Sequence, residues 1–190
     1  HFDELDVDEI YSDEVEGGRI ATRHLIEQGC RKIMLLNGFS YKSPARMRQA
    51  GYQQALASAG IDYDPSYVHV SDILPEDGYQ AVVETIRRGM PVDGIFCYND
   101  IMAFGAMQAL KEHKLRIPAD VAIVGYDDIQ YSGWVFPPLT TVRIQKHEMG
   151  FEAFRMLLSR LSGKRKKTQR KILPVEIIVR KSSLHFQKEV

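Results

Sequence analysis

Short runs of consecutive apolar residues alternate along this chain with longer stretches in which apolar positions recur every three or four residues. Ile33-Met34-Leu35-Leu36, Gly94-Ile95-Phe96-Cys97-Tyr98 and Val121-Ala122-Ile123-Val124 are unbroken apolar runs, the pattern of strands covered on both faces. Between them lie amphipathic stretches. Val15, Gly18, Ala21 and Leu25 mark one face of a helix that opens with Asp13 and Glu16 three apart and closes at Gly29, a capping-box start and a C′ glycine. Residues 44–59 read as the next helix, ended by Gly60, and Pro75-Glu76-Asp77 opens another, with Tyr79, Val82, Val83 and Ile86 along one side. Residues 101–113 and 147–161 are helical by the same spacing, and 67–71, 139–144 and 173–180 are extended. Strands and helices alternating at these lengths predict an α/β fold with a doubly wound parallel sheet.

The apolar content of 44% and charged content of 26% are those of an ordinary globular protein. Lys plus Arg equals Asp plus Glu, 25 each, so no net charge draws this segment to nucleic acid, which argues against its being the part that contacts DNA. No run of about 18 apolar residues is present, and no membrane span is expected. Cys30 and Cys97 each adjoin an apolar run and read as small buried hydrophobes of a reducing compartment. The chain opens at His1 without the pattern of a signal peptide and reads as a fragment. Residues 164–171, Lys-Arg-Lys-Lys-Thr-Gln-Arg-Lys, form either a phosphate-binding patch or a solvated loop. The lack of interleaved aromatics favours the loop.

In an open parallel sheet, ligands bind at the carboxyl ends of the strands. After Leu36 the sequence places Asn37 to Arg48, including Phe39, Tyr41, Lys42, Arg46 and Arg48. Asp72 and Ile73 follow the strand at 67–71, Asn99-Asp100 follow Tyr98, and Tyr126-Asp127-Asp128 follow Gly125. Four strands thus deliver cationic forks, amides and carboxylates to one edge, with Phe39, Tyr41, Ile73 and Tyr79 as apolar walls. Donors and acceptors beside aromatic faces suit a polyhydroxylated ligand. Each residue also has a local reading. Asp100 or Asn99 can be a helix N-cap, one of Arg46 and Arg48 a surface ion pair, and Asp127-Asp128 a turn. Phe104, Trp134 and Val135 are either core or contact surface.

At these residues a resemblance emerges. Val121 to Asp128, followed by Pro137-Pro138-Leu139-Thr140-Thr141-Val142, resembles the most telling segment of the LacI/GalR transcriptional regulators. Arg48-Gln49-Ala50-Gly51-Tyr52 is similar to their Arg-x-x-Gly-aromatic segment, and Asn99-Asp100-Ile101 to their Asn-Asp helix start. The similarity runs from about Ser12 to Ser183. It implies a periplasmic-binding-protein-like core, one complete lobe plus part of a second, that binds a small sugar-like effector between lobes. On that resemblance Arg48, Asn99 and Asp127 match effector-bonding positions, Lys42 a position that contacts ligand in some members, and Tyr79 and Ile73 pocket walls.

The same resemblance divides the chain into a remnant of the N-terminal lobe (1–30), the C-terminal lobe (31–143), a crossover, helix and basic loop (144–171) and a closing strand with tail (172–190). Cys30 and Ile144-Gln145 become hinge candidates. A cytoplasmic homodimer is implied, with Phe104, Trp134 and Val135 at its interface, that reaches operator DNA through a headpiece absent from this chain. Lys42 and Arg48 together hint at an anionic effector, a sugar acid or sugar phosphate. The other reading of the fold is a periplasmic sugar-binding component of an importer, which the Gly125-Tyr126-Asp127-Asp128 and Pro-Pro-Leu-Thr-Thr segments resemble less. An enzyme is not expected. The six histidines are scattered without metal-ligand spacing, and no Gly-x-Gly-x-x-Gly or Walker loop follows a strand. No cofactor is implied.

Overall fold

The structure, a computed structural model, describes residues 7–163 and 167–184. Two compact units divide it. The larger contains Glu14–Arg143 and the segment from Glu176; the smaller contains the residues up to Asp13 and Ile144–Val175.

In the larger unit a six-stranded sheet is ordered β3-β2-β4-β5-β6-β8. Its strands are β2 (Ile33–Asn37), β3 (Val68–Val70), β4 (Gly94–Cys97), β5 (Ala122–Tyr126), β6 (Thr140–Ile144) and β8 (Val175–Ile178); the last residue of β6 and the first of β8 lie across the unit boundaries. Pairings from β3 through β6 are parallel. The edge strand β8 runs antiparallel to β6, since Arg143 meets Glu176 while Thr140 meets Arg180. The sheet is therefore mixed, parallel in its body with an antiparallel edge. All residues of β2, β4 and β5 are buried, which explains their unbroken apolar runs. Strand alternation sends Met34, Leu36, Ile95, Cys97 and Ile123 to one face, against α3 (Pro75–Arg87) and α4 (Asp100–Glu112). Leu35, Phe96 and Val124 face the other side, where α1 (Glu14–Glu27) and α2 (Ser43–Ser58) lie.

The helices α1 and α2 approach closely because each offers a glycine to the other's backbone. A Cβ on Gly18 would lie 2.1 Å from the Arg48 carbonyl oxygen, and one on Gly51 2.0 Å from that of Val15. Gly29, Gly60 and Gly89 follow their helices at positive φ, as C′ residues do.

The smaller unit pairs β1 (Glu9–Ser12) with β7 (Arg170–Leu173) in parallel, beside α5 (Lys146–Leu161). Two expected boundaries change. The helix over 14–27, expected within a 1–30 remnant of the smaller lobe, belongs to the larger unit, because its face of Gly17, Gly18, Ile20, Ala21 and Leu25 is buried against α2, β4 and β5. The chain changes unit at Asp13–Glu14 and not near Cys30, and again at Arg143–Ile144. The extended segment expected at 173–180 splits into β7 and β8 at Pro174, which has no N–H for a ladder.

Of the basic segment, residues 164–166 lie outside the described residues. Arg170 pairs with Glu9 (2.7 Å) and Lys171 with Glu152 (3.0 Å), so its far end is engaged in ion pairs of β7. Cys30 and Cys97 are buried free thiols; burial pushes Cys30 up to about 12, so it stays protonated. Among the described residues no helix is long and apolar enough to cross a membrane.

Candidate functional site

The carboxyl ends of β2, β4 and β5 converge on Arg48, which α2 carries one and a half turns from its start. The side chain is 6% exposed, and its Nε donates to the Glu14 carboxylate at 2.7 Å. One Nη1 N–H donates to the Tyr98 carbonyl oxygen. The guanidinium stacks 3.5 Å from the Tyr126 ring centroid and 4.4 Å from that of Tyr98, a cation–π arrangement strengthened by desolvation. Burial works against the Arg48 charge, but Glu14, Tyr126 and Asp127 hold the group above its ordinary value. The Tyr126 hydroxyl, pushed up by burial, stands over Gly17, where a Cβ would lie 2.1 Å from it.

Asn99 ends β4's run into α4 and is nearly buried. Its Oδ1 accepts from Met102 N–H at 2.7 Å and its Nδ2 donates to the Ile73 carbonyl at 3.3 Å. Asn99 is thus the N-cap of α4, and Asp100 is not. Asp100 is wholly buried, and its carboxylate accepts from Ile129 N–H (2.8 Å), the Ser132 hydroxyl (2.7 Å) and the Thr141 hydroxyl (2.5 Å). Burial raises it to about 6 despite those bonds. It ties the start of α4 to β6 and to the loop that follows β5.

That loop holds Asp127. Its φ is +101° and that of Asp128 is +45°, two successive left-handed residues, which Asp tolerates better than most side chains. Asp127 N–H donates to Val142 O at 2.8 Å. It directly follows Tyr126, whose ring lies against Arg48, and its charge acts on Arg48, Tyr98 and Tyr126. Asp128 turns away to Arg143 (2.6 Å) and Arg180 (2.7 Å). Those partners outweigh burial and hold it below the usual carboxylate range.

Of the residues expected at the site, the structure brings together Arg48, Asn99, Asp127 and Ile73. A Cβ on Gly38 would lie 3.2 Å from the Ile73 side chain and 3.4 Å from the Tyr98 ring, so Ile73 and Tyr98 flank the same backbone. Lys42 sits on the flanking loop, its ammonium 5.9 Å above the Tyr41 ring, which stacks on Phe39. Tyr79 is not part of the cluster. Its hydroxyl donates to Glu112, the last residue of α4, at 2.6 Å. Phe104 and Val135 pack partly buried against the core, while Trp134 (71% exposed) stands edge-on to Tyr131 beside the exposed Phe136.

Glu14 was absent from the residues that the sequence suggested, and Tyr98 and Tyr126, which it places at strand ends, had no role assigned there. No local pattern links Glu14 to a guanidinium 34 positions away; only the α1–α2 contact does. Among the described residues no group of three or more His, Cys, Asp or Glu side chains is placed to hold a metal ion.

Residues 22–183 match the family described as periplasmic binding protein-like domain. The HTH-type transcriptional repressor PurR of Haemophilus influenzae (strain ATCC 51907) is 40% identical over 170 residues, covering 88% of this chain and 51% of PurR. The chain thus spans about half the length of the curated relatives it matches. Among solved structures, a transcriptional regulator CelR–cellobiose complex superposes with a TM-score of 0.89 at 35% identity, covering 93% of this chain and 54% of that one. A dimeric Lac repressor with an 11-residue C-terminal deletion gives 0.86 at 31% identity, covering 94% and 64%.

Proposed function

Because the chain belongs to the LacI/GalR family of periplasmic-binding-protein-like effector domains, we propose that it is the effector-sensing part of a DNA-binding transcriptional regulator. The observation that carries this reading is the meeting of Arg48, Asn99 and Asp127 at one sheet edge, backed by the faces of Tyr98 and Tyr126. Arg48 retains three N–H donors, Asn99 retains acceptor capacity, and Asp127 adds a carboxylate. Together they give and take hydrogen bonds as a sugar-like metabolite requires, and Ile73 offers it an apolar wall. The cellobiose complex of the CelR relative supports a ligand of this kind.

The role is non-catalytic. Effector binding shifts an equilibrium between two states by its differential affinity for them, and operator DNA is reached through a headpiece outside this chain. Such a regulator works in the cytoplasm as a homodimer, and the exposed Tyr131, Trp134 and Phe136 surface, with Phe104 and Val135 behind it, is its contact face. The test is a thermal-shift screen of the full-length regulator against neutral sugars and their acid and phosphate derivatives, followed by operator binding with each hit. A ligand that raises the midpoint, changes operator affinity and loses both effects in Asp127→Ala is the expected result. Hits indifferent to Asp127→Ala and Asn99→Ala would place the effector elsewhere.

A further inference from the structure

Within the effector reading above, on which this step rests, we infer that Glu14 sets the charge class of the effector, by occupying Arg48 so that the site takes neutral, hydroxyl-rich ligands and rejects anions. A guanidinium at a ligand site ordinarily attracts carboxylates and phosphates, because its paired N–H groups fit two oxygens at once. Here two of its five N–H donors are already engaged. Glu14 takes Nε at 2.7 Å with only 12% of its own side chain exposed, and the Tyr98 carbonyl takes a second N–H.

The charge count points the same way. Among the described residues, Arg48 is the cation of the cluster, and it faces Glu14 directly and Asp127 through space, while the buried Asp100 lies beneath the same loop. An anion entering here would meet more carboxylate than guanidinium, in surroundings where like charges are poorly screened. Lys42 does not redress the balance, since its ammonium rests over Tyr41 on the flanking loop. The pairing of Lys42 with Arg48, which in the sequence suggests a sugar acid or phosphate, is therefore not an anion-binding pair. A polyol meets no such obstacle. Its hydroxyls donate to Asp127 and Asn99 and accept the remaining Arg48 N–H groups.

Glu14 is a positioning residue in this scheme, acting through Arg48, and its test uses inorganic phosphate, which requires no knowledge of the natural ligand. The thermal midpoint of the full-length regulator is measured in phosphate against chloride at equal ionic strength. Wild type shows no phosphate-specific rise. Glu14→Gln, checked for folding by far-UV circular dichroism, gains a rise of several degrees that Arg48→Gln in the same chain abolishes, and Glu14→Asp stays as indifferent as wild type. A wild-type rise that depends on Arg48, or a folded Glu14→Gln without one, overturns the inference. If Glu14→Gln does not fold, the sugar titrations of wild type that follow decide. A second arm titrates wild type with glucose against glucuronate and ribose against ribose 5-phosphate, the neutral member of any binding pair being favoured at least tenfold. Binding that favours the charged member overturns the inference and leaves the effector reading intact. Absence of any sugar binding counts against the effector reading, while the phosphate arm still judges Glu14.

Discussion

Two regions of the larger unit use the same chemistry, arginine against glutamate, to opposite effect. At the strand ends, Arg48 and Glu14 are almost fully buried, joined at 2.7 Å between two tyrosine faces. On the outer face of α3, Glu84 receives Arg87 and Arg88 at 2.8 and 2.6 Å, with both arginines at least 70% exposed. Distance does not separate the two arrangements. Water does, because it screens the α3 trio and has been displaced from the Arg48 pair. The lesson is that a short ion pair identifies a site only when something else has removed its solvent, and here the aromatic rings and the α1–α2 contact have done so.

The largest expected effect follows directly. Arg48→Ala leaves Glu14 buried without its partner and costs about 3–5 kcal/mol, read from urea unfolding, whereas replacing both residues by apolar ones of similar size costs far less. An Arg48→Ala loss no larger than that of a surface pair, about 1 kcal/mol or below, would break the contrast.

Next comes Asp100. Its folded-state value of about 6 lies above the ordinary 3.8, so the fold favours the protonated acid. That favourable contribution is complete below pH 3.8 and is lost as the pH rises through about 6. Each pH unit between those two values corresponds to roughly 1.4 kcal/mol. Asp100→Asn, which loses hydrogen bonds to Ile129, Ser132 or Thr141, therefore costs more at pH 4.5 than at pH 7.5, with a loss of about 1–3 kcal/mol at the acid end. Equal losses at both pH values would show that Asp100 does not titrate with folding.

A smaller effect belongs to Asn99→Ala, which removes the α4 cap and costs about 1 kcal/mol, and should weaken effector binding by more than that loss of stability explains. Smallest of all is Glu84→Gln. The exposed trio should leave the urea midpoint unchanged within error, and a measurable drop would mean that α3's outer face is better shielded than its exposure indicates.

The fold was legible in the sequence wherever burial is two-sided. Met34, Leu35, Ile95, Phe96, Ile123 and Val124 announce themselves because both strand faces must be apolar, and glycines at 29 and 60 mark helix ends because few other residues accept positive φ. The unit boundary was not legible, since the amphipathic stripe of α1 says that it packs but not against what. For the candidate site, the sequence places Arg48, Asn99 and Asp127 after recognisable strands, and the structure brings them to one sheet edge. Which of Asn99 and Asp100 caps α4 was not legible, as neighbours with equal capping propensity differ only in which one the chain turns inward. Tyr79 was suggested as a pocket wall by the family resemblance, while its hydroxyl is engaged with Glu112. Glu14 left no trace, because its meaning lies in a partner that only tertiary packing supplies.

The glycines at 18 and 51 carry a consequence for how such a sensor can be retuned. They hold α1 and α2 at backbone contact, with no room for a methyl group at either place, and so fix the span across which Glu14 reaches Arg48. An alanine at either position acts as a wedge that lengthens the span while altering no residue that a ligand would touch. Graded relaxation of ligand choice is therefore to be sought in this helix seam, where the controlling dimension is set by side chains that are not there.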